Sequence, residues 1–401
     1  MDKPVLFTVG NYTQQDLWRP LSETYRLAFL NSGAGQMAHE MGIEDVLVLE
    51  SFMTGAMLEQ AKGQAMAYAT QISEAVISGS CVLDTAVPAL NGTGLLRWLP
   101  VWAYENAVPA IGRVFAAATC MEKHGGSGVL VHEDVTPEGR VLCQWGNVEG
   151  LPTLHMPHAN HFLANDTADI HCSTVAQHIG ASGIYMRDWY LGAGSKADTR
   201  LIGAPQWDKL YDAERMPTRE QSRRAMGIAQ DAFVLVYGGT WAQMTAVWGD
   251  AEEELKRGWE LAVNAAKEMG ALFIVKMHPG EAPNRETFYV EEMKKAELKG
   301  VVTRKHNEHV LRAADCVLTQ GSSNLAVAAT ILGTPVVEIY QCSTRYPDYG
   351  PKGTWGEGLV DLIREAIAAG PLKEFERAMN YDGDGKAIDR SLEWIKEMCP
   401  V

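Results

Sequence analysis

The chain has 401 residues, 46% hydrophobic and 21% charged, enough for two domains with ordinary cores. Its net charge is −15, with 11 basic and 20 acidic side chains in residues 1–200 and 24 and 30 in the rest, so neither half has the basic surplus expected of a nucleic-acid platform. No apolar run approaches the roughly 20 residues that cross a bilayer, the opening MDKPVLFTVGNYTQQD lacks the regions of a secretion signal, and seven cysteines without a CxxC pair predict reduced thiols, a cytoplasmic protein and no structural zinc. In chain order, Val5–Val9 reads as the first buried strand, followed by Val46–Leu49, Gly128–Val131 and Thr153–Met156. Met57–Ile77 and Asn106–Lys123 carry helical spacing. Between them Leu90–Trp102, with Gly, Pro and the bulky Trp98, Leu99 and Trp102, reads as a loop or flap. Such alternation predicts a parallel sheet covered by helices.

The second half is clearer. Thr218 caps a helix over Arg219–Met226, Gly227 ends it, and Phe233–Tyr237 is a strand closing on Gly238-Gly239-Thr240. Asp250–Met269 is a long amphipathic helix ended by Gly270. Phe273–Lys276, Val301–Thr303, Cys316–Thr319 and Val336–Tyr340 complete a second parallel set. Gly, Ala and Pro cluster in Gly194–Tyr211, which reads as the linker. The expected division is an N-terminal domain over 1–200, a C-terminal domain over 201–385, and a closing segment over 386–401 with a helix at Ala387–Met398.

One stretch carries most of the chemistry. The strand Cys316–Thr319 stops at Gly321-Ser322-Ser323 and a helix, Asn324–Leu332, follows at once. The first helical N–H groups have no intrahelical partner, and the helix dipole adds partial positive charge there. Ser322, Ser323 and Asn324 are therefore candidate ligands for a nucleotide diphosphate. The serines equally fit a helix cap with no guest. Gly238, Gly239 and Thr240 would offer backbone N–H groups to the same diphosphate, or form a plain tight turn. Lys276 could neutralise it, or simply end a strand. His278, fixed before Pro279 at the carboxyl end of a strand, could contact the nucleotide or bond a carbonyl.

The order of these motifs resembles the GT-B superfamily of nucleotide-sugar-dependent glycosyltransferases. It is most similar to the branch of CDP-glycerol glycerophosphotransferases, capsule-polysaccharide transferases and non-hydrolysing UDP-N-acetylglucosamine 2-epimerases. The segments that carry the resemblance are Gly150–His158 with its Pro-His pair, the G-x-P-x-x-D segment Leu201–Asp208, Thr218–Thr240, the K-x-H-P element Lys276–Pro279, and Ala314–Glu338. Gln320-Gly321 stands where the glycerophosphotransferases usually have Asp-Tyr.

The resemblance implies two Rossmann-like domains whose parallel sheets face a central cleft, with the last helix crossing back to the first domain. It implies transfer of a sugar from a nucleotide-diphosphate-sugar, a UDP-sugar first, to a hydroxyl acceptor, with inversion and no required cofactor. It also implies Glu338 as the group that holds the donor ribose. The base would come from the first domain: Glu133 or Asp134 after Gly128–Val131, or His158 after Thr153–Met156, with the two carboxylates favoured. A solvated acidic loop fits the carboxylates as well. His155, His158 and His161 do not share a face, so no metal is expected. The rival readings are an epimerase or polyol-phosphate transferase on the same scaffold, a phage-type glucosyltransferase acting on hydroxymethylated DNA, and a non-catalytic nucleotide-sugar-binding protein.

Overall fold

The structure is a computed structural model that describes residues 3–77, 93–160, 174–239, 251–304, 307–321, 323–339 and 346–401. The first half contains β1 (Val5–Thr8), α1 (Gln15–Thr24), β2 (Arg26–Phe29), α2 (Ser32–Glu40) and β3 (Val46–Val48). Then come α3 (Gly55–Ile77), α4 (Thr93–His124), β4 (Gly128–Val131), α5 (Pro137–Val148), β5 (Thr153–His155), β6 (His178–Ala181), α6 (Ile184–Gly192) and β7 (Asp198–Leu201). The strands form one seven-stranded parallel sheet in the order β3-β2-β1-β4-β5-β6-β7. Strands β1 and β4 are covered on both faces, which is why they read as unbroken apolar runs rather than alternating ones.

The second half contains α7 (Arg219–Ala225), β8 (Val234–Gly238), α8 (Ala251–Glu268), β9 (Leu272–Lys276), α9 (Asn284–Lys295), β10 (Gly300–Thr303) and α10 (Asn307–Ala313). It continues with β11 (Cys316–Gln320), α11 (Asn324–Ile331), β12 (Val336–Ile339), β13 (Gly353–Thr354), α12 (Leu359–Ala369), α13 (Lys373–Met379) and α14 (Ala387–Met398). Its six parallel strands run β10-β9-β8-β11-β12-β13. In both sheets the order reverses beside the first strand, between β1 and β4 and between β8 and β11. The carboxyl ends at such reversals leave a crevice open to ligands.

Two carboxylates, Asp315 partly buried and Asp208 buried, tie the motifs to this scaffold. Asp315 accepts from Arg223 Nη2 at 2.8 Å and from the Val234 amide at 2.7 Å, and it pairs with Arg219, so the Ala-Asp before β11 fastens α7 and the start of β8. Asp208 accepts from the amides of Ala387 at 3.0 Å and Ile388 at 2.7 Å, the two free donors at the start of α14. Helix α14 then crosses back to the first sheet as expected. Its Trp394 and Ile395 share a core with Leu6, Leu17 and Ile202, and Tyr25 donates its hydroxyl to the Cys399 carbonyl at 2.6 Å.

Besides strands that the sequence reading left out, two segments differ from it in kind. Residues 93–102, read as part of a loop, are the first turns of α4, while residues 90–92 lie outside the described residues. Pro100 and Pro109 are carried inside this helix. The helix survives them because it lies along α3: Ala61, Ala65 and Ala69 of α3 and Leu99, Ala103 and Ala107 of α4 form two buried stripes at four-residue spacing. The expected linker, Gly194–Tyr211, holds the edge strand β7 and a 3₁₀ turn over Pro205–Tyr211. Asp208 on that turn is the cap of α14, so the segment is a joint rather than a tether.

Candidate active site

Strand β4 ends on His132, Glu133 and Asp134, and β5 ends a few residues before His158. The parallel pairing of β4 with β5 brings the two loops side by side. Nδ1 of His158 stands 3.1 Å from Oε1 of Glu133, whose side chain is almost fully buried while the imidazole is one-third exposed. Glu133 thus backs a histidine ring that remains partly exposed. His132 packs edge-on against His158, with ring centroids 5.6 Å apart. Burial pulls the His132 pKa down to about 4, and the neighbouring His158 adds to the shift.

Asp134 lies completely inside the protein. One oxygen accepts from the amides of Val175 at 2.5 Å and Ala176 at 3.0 Å, and the other lies 3.5 Å from Nδ1 of the buried His155. It anchors the approach to β6, and its side chain is fully buried. Glu133 is nearly buried beside it, whereas His158 is one-third exposed. His161 lies outside the described residues. Among the described residues no three metal-binding side chains gather.

In the second half, His278 follows β9 on a loop locked from beneath. Glu281, itself buried, accepts from the His278 amide at 2.6 Å and from the Tyr289 hydroxyl at 2.6 Å. Arg304, directly after β10, donates to the carbonyls of His278, Glu281 and Ala282 at 3.0–3.1 Å. Nδ1 of His278 accepts from the Gly280 amide at 3.0 Å, so the neutral ring carries its hydrogen on Nε2. The His278 pKa is lowered, first by burial and then by Lys276 and His158. The two histidines, one from each half, are thus within electrostatic reach of each other.

Several expected anion ligands have partners inside the fold. Lys276 is buried and donates to the carbonyls of Met277 at 3.1 Å and Arg304 at 3.0 Å; burial, then the Arg304 charge, lowers its pKa. Gly239 gives its amide to the Lys276 carbonyl at 2.8 Å. A Cβ at Gly239 would lie 2.4 Å from Oε2 of Glu281, so the glycine is there for close approach, and Gly238 belongs to β8 itself. Ser323 caps α11, its hydroxyl accepting from the Leu325 amide at 3.2 Å, while its own amide donates to the Tyr346 hydroxyl at 2.7 Å. Glu338 is fully buried in β12, beside Thr319 of β11. Thr240 and Ser322 lie outside the described residues.

Asn324 does reach the other half. Its Oδ1 accepts from the amide of Asn160 at 3.2 Å and from the Asn160 side chain at 3.5 Å. Asn160 accepts in turn from the Ser182 hydroxyl at 2.7 Å. The turn after β11 therefore lies against the first-half loop that carries His158. Sequence reasoning missed Glu281, Arg304, Asn160 and Tyr346. An arginine immediately after a strand and a glutamate three residues after the K-x-H-P histidine were the only signals available.

Residues 184–325, which contain His278 and the Ser323 turn, match the model of the CDP-glycerol:poly(glycerophosphate) glycerophosphotransferase family. No protein of curated function matches the chain. Among solved structures, the chain is similar to the Methanocaldococcus jannaschii UDP-GlcNAc 2-epimerase in complex with UDP-GlcNAc and UDP, at 14% identity and a TM-score of 0.59, over 98% of this chain and 100% of that one. The UDP-GlcNAc 2-epimerase of Neisseria meningitidis bound to UDP-GlcNAc gives 12% identity and a TM-score of 0.57, over 99% and 100%. HepE of Anabaena in complex with UDP-glucose gives 12% and 0.54, over 98% and 99%. The chain has the GT-B fold. On this GT-B scaffold the family match places a transferase domain. No helix among the described residues is long and apolar enough to cross a membrane.

Proposed function

We propose that the chain moves a sugar from a nucleotide-diphosphate-sugar to a hydroxyl acceptor, with inversion and without an essential metal. Residues 1–200 hold the acceptor and 201–385 the donor, and 386–401 dock on the first unit. The observation that carries the reading is the contact of the His158 loop with the Ser323–Asn324 turn through Asn160 and Asn324, with His158 close enough to His278 to lower its pKa. Oε1 of Glu133, 3.1 Å from Nδ1 of His158, favours the tautomer with its hydrogen on Nδ1, which leaves the Nε2 lone pair to accept the proton of the attacking hydroxyl. His278 has Nε2–H to offer the departing diphosphate, because Nδ1 is occupied by Gly280. Glu133 and Asp134 then act through position, Asp134 by fixing the neighbouring loop. The donor's diphosphate belongs between the end of β8 and the Ser323–Asn324 turn, at the reversal of the second sheet. The UDP-sugars named for the fold neighbours favour a UDP-sugar as donor. Unpaired, buried Cys120, Cys143, Cys316 and Cys399 fit a reducing cytoplasm.

A second reading rests on the family match over 184–325, which favours a polyol-phosphate donor such as CDP-glycerol. The same histidine would deprotonate the acceptor hydroxyl, but the attack would fall on phosphorus and expel a nucleoside monophosphate. The test is incubation with UDP-, GDP-, CDP- and dTDP-sugars and with CDP-glycerol, with and without alcohol acceptors and EDTA. Sugar transfer requires acceptor-dependent release of a nucleoside diphosphate, unchanged by EDTA. Release of the monophosphate from CDP-glycerol would install the second reading. An epimerised sugar formed without acceptor, or no turnover at all, would end both.

A further inference from the structure

We propose that Tyr346 and Asn160 are a pair of positioning residues that grip the Ser323–Asn324 turn from opposite sides, so that the turn is shaped for a donor diphosphate only while the two halves are docked. The inference rests on the proposed function, since it concerns the turn assigned there to the donor.

The geometry is a closed circuit. From below, the Tyr346 hydroxyl accepts from the Ser323 amide at 2.7 Å and lies 3.1 Å from the Ser323 carbonyl and 3.2 Å from the Thr319 hydroxyl. One phenol thus holds both backbone groups of Ser323. Its ring cannot leave easily: it is buried and meets Phe375 of α13 edge-on, with centroids 5.3 Å apart. The chain leaving α13 then turns to the first half, where the Tyr381 amide donates to the Ser182 carbonyl at 2.7 Å. Gly183 is pressed so closely on Ala378 that a Cβ there would lie 2.2 Å from the Ala378 carbonyl oxygen. From above, Ser182 donates its hydroxyl to Asn160 Oδ1 at 2.7 Å, and Asn160 donates to Asn324, the neighbour of Ser323. Every link is a hydrogen bond or a packed ring, and α13 belongs to both arms. Moving one half against the other must release Asn324 or strain the turn through Tyr346.

Tyr346→Phe removes the hydroxyl and keeps the ring, and Asn160→Ala removes the upper arm. Calorimetric titration with UDP and CDP is compared across the parent, each variant and the double variant, with donor kinetics beside it. Each single variant should raise the Kd for the nucleoside diphosphate, and the donor KM, by roughly 5- to 30-fold. The kcat should stay within about threefold, because neither group touches the reacting atoms. The double variant should lose less than the product of the two, since both act on one turn. Lowered melting temperatures with unchanged Kd and KM would reduce both residues to structural parts and overturn the inference. If Tyr346→Phe does not fold, Asn160→Ala decides alone by the same criteria. A parent that binds no nucleoside diphosphate would sink the proposed function and this inference together, whereas variants that bind as well as a binding parent would sink only this one.

Discussion

His132 shows how far a single side chain feels its surroundings. Burial first, then the adjacent His158, hold its pKa near 4, against about 6.5 for a histidine in the unfolded chain. Between those values the unfolded state binds the extra proton, so stability must fall as pH drops from 6.5 to 4. His132→Gln should remove on the order of 2–3 kcal/mol of that loss, read as a flatter plot of urea-unfolding free energy against pH. Parallel plots for parent and variant would refute it. His158→Ala should cut turnover by roughly 10²- to 10⁴-fold while donor Kd, measured by calorimetry, stays within about twofold. Gly239→Ala must push a methyl toward Glu281 and should cost on the order of 1–3 kcal/mol in chemical denaturation. At this scale the sequence offered residue types and little more. It placed His158, His278 and Glu133 among the candidates, and exposure is what separates them in the fold. The loop after β4 holds a buried Asp134 and a nearly buried Glu133, while His158 on the neighbouring loop is one-third exposed.

At the scale of elements, caps and helix spacing were readable. Thr218 starts α7 with a full capping box to Gln221, and Ala387–Met398 is the helix that its amphipathic pattern predicts. Strands β2, β6 and β7 escaped notice because each is four residues long and is broken by a charged or imidazole side chain, Arg26, His178, or Asp198 and Arg200, so none reads as an apolar run. The start of α4 escaped because prolines argue for a loop, and only the alanine stripe of α3 opposite it keeps the helix whole. Two substitutions test the element picture. Asp208→Ala deprives α14 of both side-chain acceptors at its start and should cost about 1–2 kcal/mol, seen as a lower denaturation midpoint with an unchanged slope. Gly63 in α3 faces open space, so Gly63→Ala should instead stabilise by about 0.5–1 kcal/mol in the same assay; a loss there would contradict the described helix.

For the whole molecule, α14 is the element that makes one body of two sheets. It leaves the second half and completes the core around Leu6, Leu17 and Ile202. A chain ending at residue 386 would expose that core and should lose its single cooperative unfolding transition in calorimetry. The alternation of buried strands with helices was enough to foresee two parallel sheets, since parallel strands need long crossovers and cover on both faces. Motif order was enough to foresee the GT-B scaffold. Both are local properties, repeated along the chain. The partners of polar groups are a different matter, because hydrogen bonds join residues far apart in number. Ser323, Lys276 and Gly239 look like free donors in the sequence, yet Tyr346, the Arg304 carbonyl and the Lys276 carbonyl claim them. The chain by itself determined which elements form and in what order. Only the packed structure decided which side chains remain for chemistry, because a buried donor must find an acceptor wherever folding brings one near.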